Sequence, residues 1–172
     1  MDDDGFRAFV TAQWGPLTRT ALLLTGDRGA AEDLVQSVLE KSHRRWGRIL
    51  RSDAPELYVR RAMVNTAISW RRRRRVVEVP LLAADAAPAA DQYDQAETRQ
   101  QLLVALRKLP PRTRAILVLR YFEDLSEADI AKVLGCSTGS VKSQASRGLA
   151  RLRDHIDPYP GNAPARLQGD PA

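Results

Sequence analysis

The sequence has a single cysteine, Cys136, and only two histidines, His43 and His155, in 172 residues. One thiol excludes an internal disulfide and any multi-cysteine metal cluster, and no His-rich spacing offers an alternative set of ligands. No window approaches the roughly 18 uninterrupted apolar residues of a membrane span. The start, Met1-Asp2-Asp3-Asp4-Gly5, is acidic and has neither the basic opening nor the apolar stretch of a signal peptide. The expected location is therefore the cytoplasm. A phosphate-binding glycine loop and a nucleophile–base pair are also lacking. Isolated acids such as Asp129 have a structural use as helix caps, so neither an enzyme nor a cofactor is expected.

Apolar residues make up 44% of the chain, enough for a core and too many for wholesale disorder. The net charge of +6 is unevenly placed. Residues 1–41 carry seven acids and four bases, whereas residues 42–75 carry eleven arginines and two acids. Residues 76–97 hold five acids and no base, and residues 98–155 return to eleven bases against five acids. Clustered cations of this kind attract polyanions by releasing counterions from phosphates. Charge alone is equally compatible with a merely solvated basic surface.

Helical periodicity runs through most of the sequence, and no strand alternation appears. Phe6, Phe9, Val10, Trp14, Leu17, Ala21 and Leu24 follow helical spacing, with a bend or interruption expected at Gly15-Pro16. Ala31, Leu34, Val35, Val38 and Leu39 form one apolar helix face, opposite Glu32, Asp33, Gln36 and Glu40. Asp53-Ala54-Pro55-Glu56 reads as a helix start, with Asp53 as cap. That helix carries Tyr58, Arg60, Arg61, Asn65 and Trp70 into Arg71–Arg75. The residues beyond it are rich in alanine, aspartate and proline and read as a flexible linker. A second lobe opens with Leu102, Leu103, Leu106 and Leu109, stopped by Pro110-Pro111. Ile116, Leu117, Leu119 and Tyr121 are expected to be buried in the next helix.

The most informative stretch is Leu125 to Gln144. Ser126 caps a helix with Asp129 as its reciprocal partner, and Ile130 and Leu134 form the buried stripe. Ala131 is small where a second helix must cross, and Gly135 supplies the turn. Ser137 caps the next helix, and Val141 returns to the core. This spacing is that of a DNA-reading helix-turn-helix. Thr138, Ser140, Lys142, Ser143, Ser146 and Arg147 then lie where side chains meet phosphates and base edges. An ordinary helical hairpin would share the spacing but would not need Lys142, Arg147, Arg151 and Arg153 on its exposed side. Cys136, in the turn, is expected to be a small buried apolar residue. In the first lobe, Tyr58, Asn65, Trp70 and the arginines suit locally opened nucleic acid, where bases stack on rings and cations hold the backbone. A solvated basic helix end with packed aromatics is the alternative.

The ordered set of motifs resembles an extracytoplasmic-function (group IV) sigma factor of the sigma-70 family, similar to the actinobacterial SigE-like subfamily. The residues that carry the resemblance are Gly26-Asp27, Ala31 to Gln36, Tyr58 to Ala67, Leu109 to Ala115, Leu119 to Phe122 and the helix-turn-helix. The resemblance implies an all-α fold of two small helical domains joined by a flexible acidic linker. Residues 6–76 would be region 2, 77–96 the linker and 97–156 region 4, followed by a disordered tail over 157–172. It implies that Glu32, Asp33, Gln36 and Glu40 dock on the β′ clamp helices of core RNA polymerase. It further implies that Tyr58, Arg60, Arg61, Asn65, Trp70, Arg71, Arg72 and Arg73 recognise the −10 promoter element, with a flipped base held near Asn65. The second lobe would read the −35 element and meet the β flap. The linker would follow the polymerase's RNA exit path, and an anti-sigma factor is a further partner the resemblance leaves open. Two other readings compete: a dimeric repressor or activator binding two half-sites, and an RNA-binding antitermination protein.

Overall fold

The computed structural model describes residues 3–51, 54–74 and 93–156. Among these residues the chain forms eight α-helices and no strand: α1 (Asp3–Thr25), α2 (Arg28–His43), α3 (Trp46–Ile49), α4 (Pro55–Arg74), α5 (Tyr93–Lys108), α6 (Pro111–Tyr121), α7 (Glu127–Leu134) and α8 (Thr138–Ile156). Local sequence sets most of the ends. Gly26 takes a left-handed φ of 74° after α1, and the Asp27 carboxylate then accepts the Ala30 amide at 2.7 Å to start α2. Pro111 stands in the first turn of α6, where a missing N–H costs nothing. The Asp53 cap expected for α4 lies outside the described residues, as do residues 77–92 of the linker and the tail over 157–172.

Two expectations are corrected inside α1. The helix continues through Pro16 without interruption. Proline removes one backbone bond, but Phe6, Phe9 and Val10 pack against the core before it and Leu17, Ala21 and Leu24 after it, so burial on both sides holds the helix together. Trp14, placed on the apolar face by its spacing, is 43% exposed. At the other end of the linker, α5 begins at Tyr93, four residues inside the segment read as linker. Beyond Pro88 the sequence has no proline or glycine until Pro110, and Gln95, Ala96, Glu97 and Gln100 are good helix formers.

The core begins as the sequence pattern indicates. Ala31, Leu34, Val35, Val38 and Leu39 are all buried, against Leu17 and Ala21 of α1 and Val59, Met63 and Val64 of α4. Leu106, Leu109, Ile116, Leu117, Ile130, Leu134 and Val141 form the corresponding centre of the second lobe. Tyr121 departs from its expected place: it lies on the outer side of the last turn of α6 and is 52% exposed. At Gly148 a Cβ would come within 2.5 Å of Thr113 Cγ2, so α6 and α8 approach more closely than any side chain would allow.

The lobes do not stand apart. Their apolar residues form one continuous cluster, with α1 and α4 packed on α6 and α1 also on α5. Arg114, 1% exposed, ties the two together: Nη1 donates to Leu24 O at 2.9 Å in the first lobe, and Nε donates to Leu106 O at 2.5 Å in the second. Burial, and then the nearby charges of Arg71 and Arg107, push its pKa down to about 9. It therefore still carries its charge at neutral pH.

Candidate nucleic-acid interface

In the second lobe, α7 and α8 meet around Gly135, which adopts φ 62° and ψ 46°. This left-handed residue turns the chain sharply enough for α8 to cross α7. Ser126 Oγ accepts the Asp129 amide at 3.1 Å and donates to the Asp129 carboxylate at 2.6 Å. With help from Lys132, that hydroxyl holds the Asp129 carboxyl below its ordinary pKa. Ser137 Oγ accepts the Ser140 amide at 3.1 Å and opens α8. Val141 and Ala145 are buried, which turns the opposite face outward. Thr138, Lys142, Ser143, Ser146 and Arg147 are exposed on it, while Ser140 is half-buried and accepts a hydrogen bond from Gln144. Arg147 Nε donates to Ser143 O at 3.3 Å, laying the guanidinium along the helix. Cys136 is half-buried rather than buried, a free thiol in the turn.

In the first lobe, Glu32, Asp33, Gln36 and Glu40 are all exposed along α2, and Glu32 pairs with Arg28 at 3.4 Å. On α4, Tyr58, Arg61 and Asn65 face solvent. Three of the other predicted contacts of that helix, Arg60, Trp70 and Arg71, are engaged within the fold. Trp70 is half-buried and packs against the core. Arg71 Nη2 donates to Arg107 O at 2.5 Å across the lobe boundary. Arg72 and Arg73 continue the helix, but their side chains lie outside the described residues. Arg60 is engaged most tightly: Nε meets Glu123 Oε2 at 2.6 Å, with side chains only 21% and 10% exposed. The second Glu123 oxygen accepts the Thr20 hydroxyl, and Glu56 flanks Arg60 at 3.6 Å.

Three features escaped the sequence reading: the Arg114 bridge, the Arg60–Glu123–Thr20 contact, and an arginine cluster at the corner between α2 and α3. The first two join residues 90 and 63 positions apart, and no spacing signal reports such pairs. The third was visible as composition, since residues 42–75 hold eleven arginines, but not as a shape.

Comparison with known proteins accounts for both lobes. Residues 10–76 match Sigma-70 region 2, and residues 99–152 match Sigma-70, region 4. The RNA polymerase sigma-E factor of Streptomyces coelicolor is 36% identical over 151 residues, covering 88% of this chain and 85% of that one. The chain belongs to the sigma-70 family. Its sigma relatives include the ECF RNA polymerase sigma factor SigM of Mycobacterium tuberculosis, 33% identical over 136 residues, 79% of this chain and 69% of that one. In fold it is similar to the sigma factor RpoE of Bartonella quintana, solved in complex with the anti-sigma factor NepR. The TM-score there is 0.71 at 24% identity, covering 88% of this chain and 96% of that one. As a sigma factor of this type, the protein is a promoter-recognising initiation factor that works with RNA polymerase on promoter DNA. Sigma factors are generally non-catalytic. Among the described residues no helix is long and apolar enough to cross a membrane.

Proposed function

We propose that this sigma factor divides promoter recognition between its lobes, region 4 reading the −35 element through α8 and region 2 opening and holding the −10 element through α4. The observation that carries this reading is the outward face of α8, where Thr138, Lys142, Ser143, Ser146 and Arg147 stand clear of the core on a helix fixed by the Gly135 turn. A major groove admits such a helix, and phosphate contacts from its cations set register while Ser and Thr hydroxyls reach base edges. On α4, exposed Tyr58, Arg61 and Asn65 combine a stacking ring, a cation and an amide, the set needed to hold an unstacked base. The acidic-polar face of α2, with Asp33 and Gln36 at its centre, serves as the dock for the β′ clamp helices, and the protein acts in the cytoplasm.

The contacts between lobes bear on this division of labour. Arg60 reaches a phosphate only after its bond to Glu123 opens, because its guanidinium is committed to the other lobe in the closed chain. Polymerase, by holding the lobes at two promoter elements, supplies that opening. An anti-sigma factor that binds the closed form would oppose it. The test is run-off transcription by core polymerase with and without the protein on fragments of its own genome. Discrete new transcripts are expected. Lys142→Ala and Arg147→Ala should reduce output from −35-dependent promoters, and Asn65→Ala should reduce DNA opening more than polymerase binding. A protein that footprints a duplex site without polymerase and yields no transcript is instead a stand-alone regulator.

A further inference from the structure

A cleft of about 830 Å³ lies where the lobes meet, between α1, α5 and the turn after α6. Helix geometry makes its lining apolar. Leu17, Ala21 and Leu24 fill the buried face of α1, so Leu22 and Leu23 turn off that face and stay half-buried. Leu106 and Leu109 are buried in the same way on α5, and Leu102 and Leu103 line the cleft a turn earlier. Phe122, just past the end of α6, is 50% exposed and completes the apolar lining. Side chains from both lobes thus share one hollow, with the position at a domain boundary and the size, about 300–1,000 Å³, of small-molecule sites. Its charges do not balance. Arg60 and Glu123 on the lining pair with each other at 2.6 Å. Arg19 and Arg99 are exposed, and among the described residues neither has a carboxylate partner; against them stands Asp124. One positive charge is left over, and a single negative charge neutralises it.

We propose that this cleft binds a small amphipathic carboxylate, its apolar body on the leucines and Phe122 and its head group at Arg19 and Arg99. A guanidinium meets a carboxylate through two parallel N–H bonds, which suits the unmatched cations, and the leucines supply the area that an alkyl or aryl body needs. The ligand touches α1 of one lobe and α5 of the other. It therefore binds the closed chain better than an opened one and shifts the population toward closure. In the closed chain Arg60 stays on Glu123. The ligand is thus a negative regulator of promoter engagement, a consequence that rests on the reading that the lobes part on the promoter.

The test titrates decanoate, with decanol as its uncharged counterpart, into the full-length chain by calorimetry, below the concentration at which decanoate aggregates. Decanoate is expected to bind one-to-one, and about fourfold more tightly for each methylene added from octanoate. It should also bind at least about tenfold more tightly than decanol, the margin that a hydrogen bond to a charged group supplies. Replacing Arg19 and Arg99 together with glutamine should abolish that margin and leave decanol binding as it was. Phe122→Ala should weaken both ligands about tenfold, whereas Leu50→Ala, at an exposed residue outside the cleft, should weaken neither. Decanoate should raise the urea concentration at which the lobes part, followed by energy transfer between dyes on the two lobes, in the parent but not in the double variant. Failure to bind saturably one-to-one refutes the site, as does a double variant that still prefers decanoate to decanol. If replacing residues 76–82 with glycine and serine raises the affinity for decanoate about tenfold, that apolar segment is the cleft's occupant and the proposal falls. No polymerase or DNA enters these measurements, so the site and the division of promoter recognition between the lobes fail independently.

Discussion

The contact between Arg60 and Glu123 offers the most direct check on how the two lobes are held, through Glu123→Gln. The side chains are 21% and 10% exposed, and the closest approach is 2.6 Å. Two unit charges 4 Å apart attract by about 4 kcal/mol at an effective permittivity of 20, before the cost of removing both from water. After that cost, a hydrogen bond to a charged group contributes about 1.5–3 kcal/mol. Glutamine keeps an oxygen near Arg60 and Thr20 but removes the charge, so the expected loss falls within that range. At about 1.4 kcal/mol per tenfold, closure of the lobes should weaken by about ten- to a hundredfold. The assay is energy transfer between dyes on Lys41→Cys and Asp154→Cys, in a Cys136→Ser background, across a urea titration. The Glu123→Gln chain should separate its lobes at lower urea than the parent. Arg60→Met should do the same, and the double variant should lose little more than either alone, because both act on one pair. Strictly additive effects, or a separation midpoint that does not move, would show that the pair does not hold the lobes together.

Three further outcomes follow from the geometry. Arg114→Met leaves Leu24 O and Leu106 O without their buried donor, and should cost about 2–4 kcal/mol in urea unfolding; Arg114→Lys should not restore it, because an ammonium lacks the planar fork that spans carbonyls of both lobes. Ser126→Ala should destabilise by about 1 kcal/mol through loss of the α7 cap and should raise the Asp129 pKa toward its ordinary value, as read by NMR titration. Since the folded pKa of Asp129 is the lower one, the stabilisation it reports is present above pH 3.8 and disappears as pH falls through the folded value, so the variant should show less acid sensitivity than the parent below pH 3.8. Gly148→Leu should lower the unfolding midpoint by an amount equivalent to about 1–3 kcal/mol, because its side chain must enter the α6–α8 contact already closed by Thr113; a neutral result would mean that the two helices separate easily there.

Much of this protein was legible in its sequence, because much of it is decided within one or two turns of helix. The apolar face Ala31 to Leu39 is buried as its spacing demands, and Ser126, Gly135 and Ser137 act as cap, turn and cap through bonds to residues no more than a few positions away. The exposed face of α8 follows from the same periodicity once Val141 and Ala145 are buried. Periodicity failed where a helix outruns its cover, as at Trp14 and Tyr121, and where packing on both sides overrules a local breaker, as at Pro16. The relation between the lobes was beyond its reach. Read alone, an acidic linker implies two bodies on a tether, and Arg60 and Arg71 belong to a uniformly cationic helix. The tertiary structure instead commits both to the second lobe and buries Arg114 among backbone carbonyls of α1 and α5. Amino-acid order determines which face of each helix is apolar and where each helix stops. Which charges remain available to a ligand depends on how the helices cross, since a guanidinium facing a carboxylate 63 residues away has the same local sequence as one facing water.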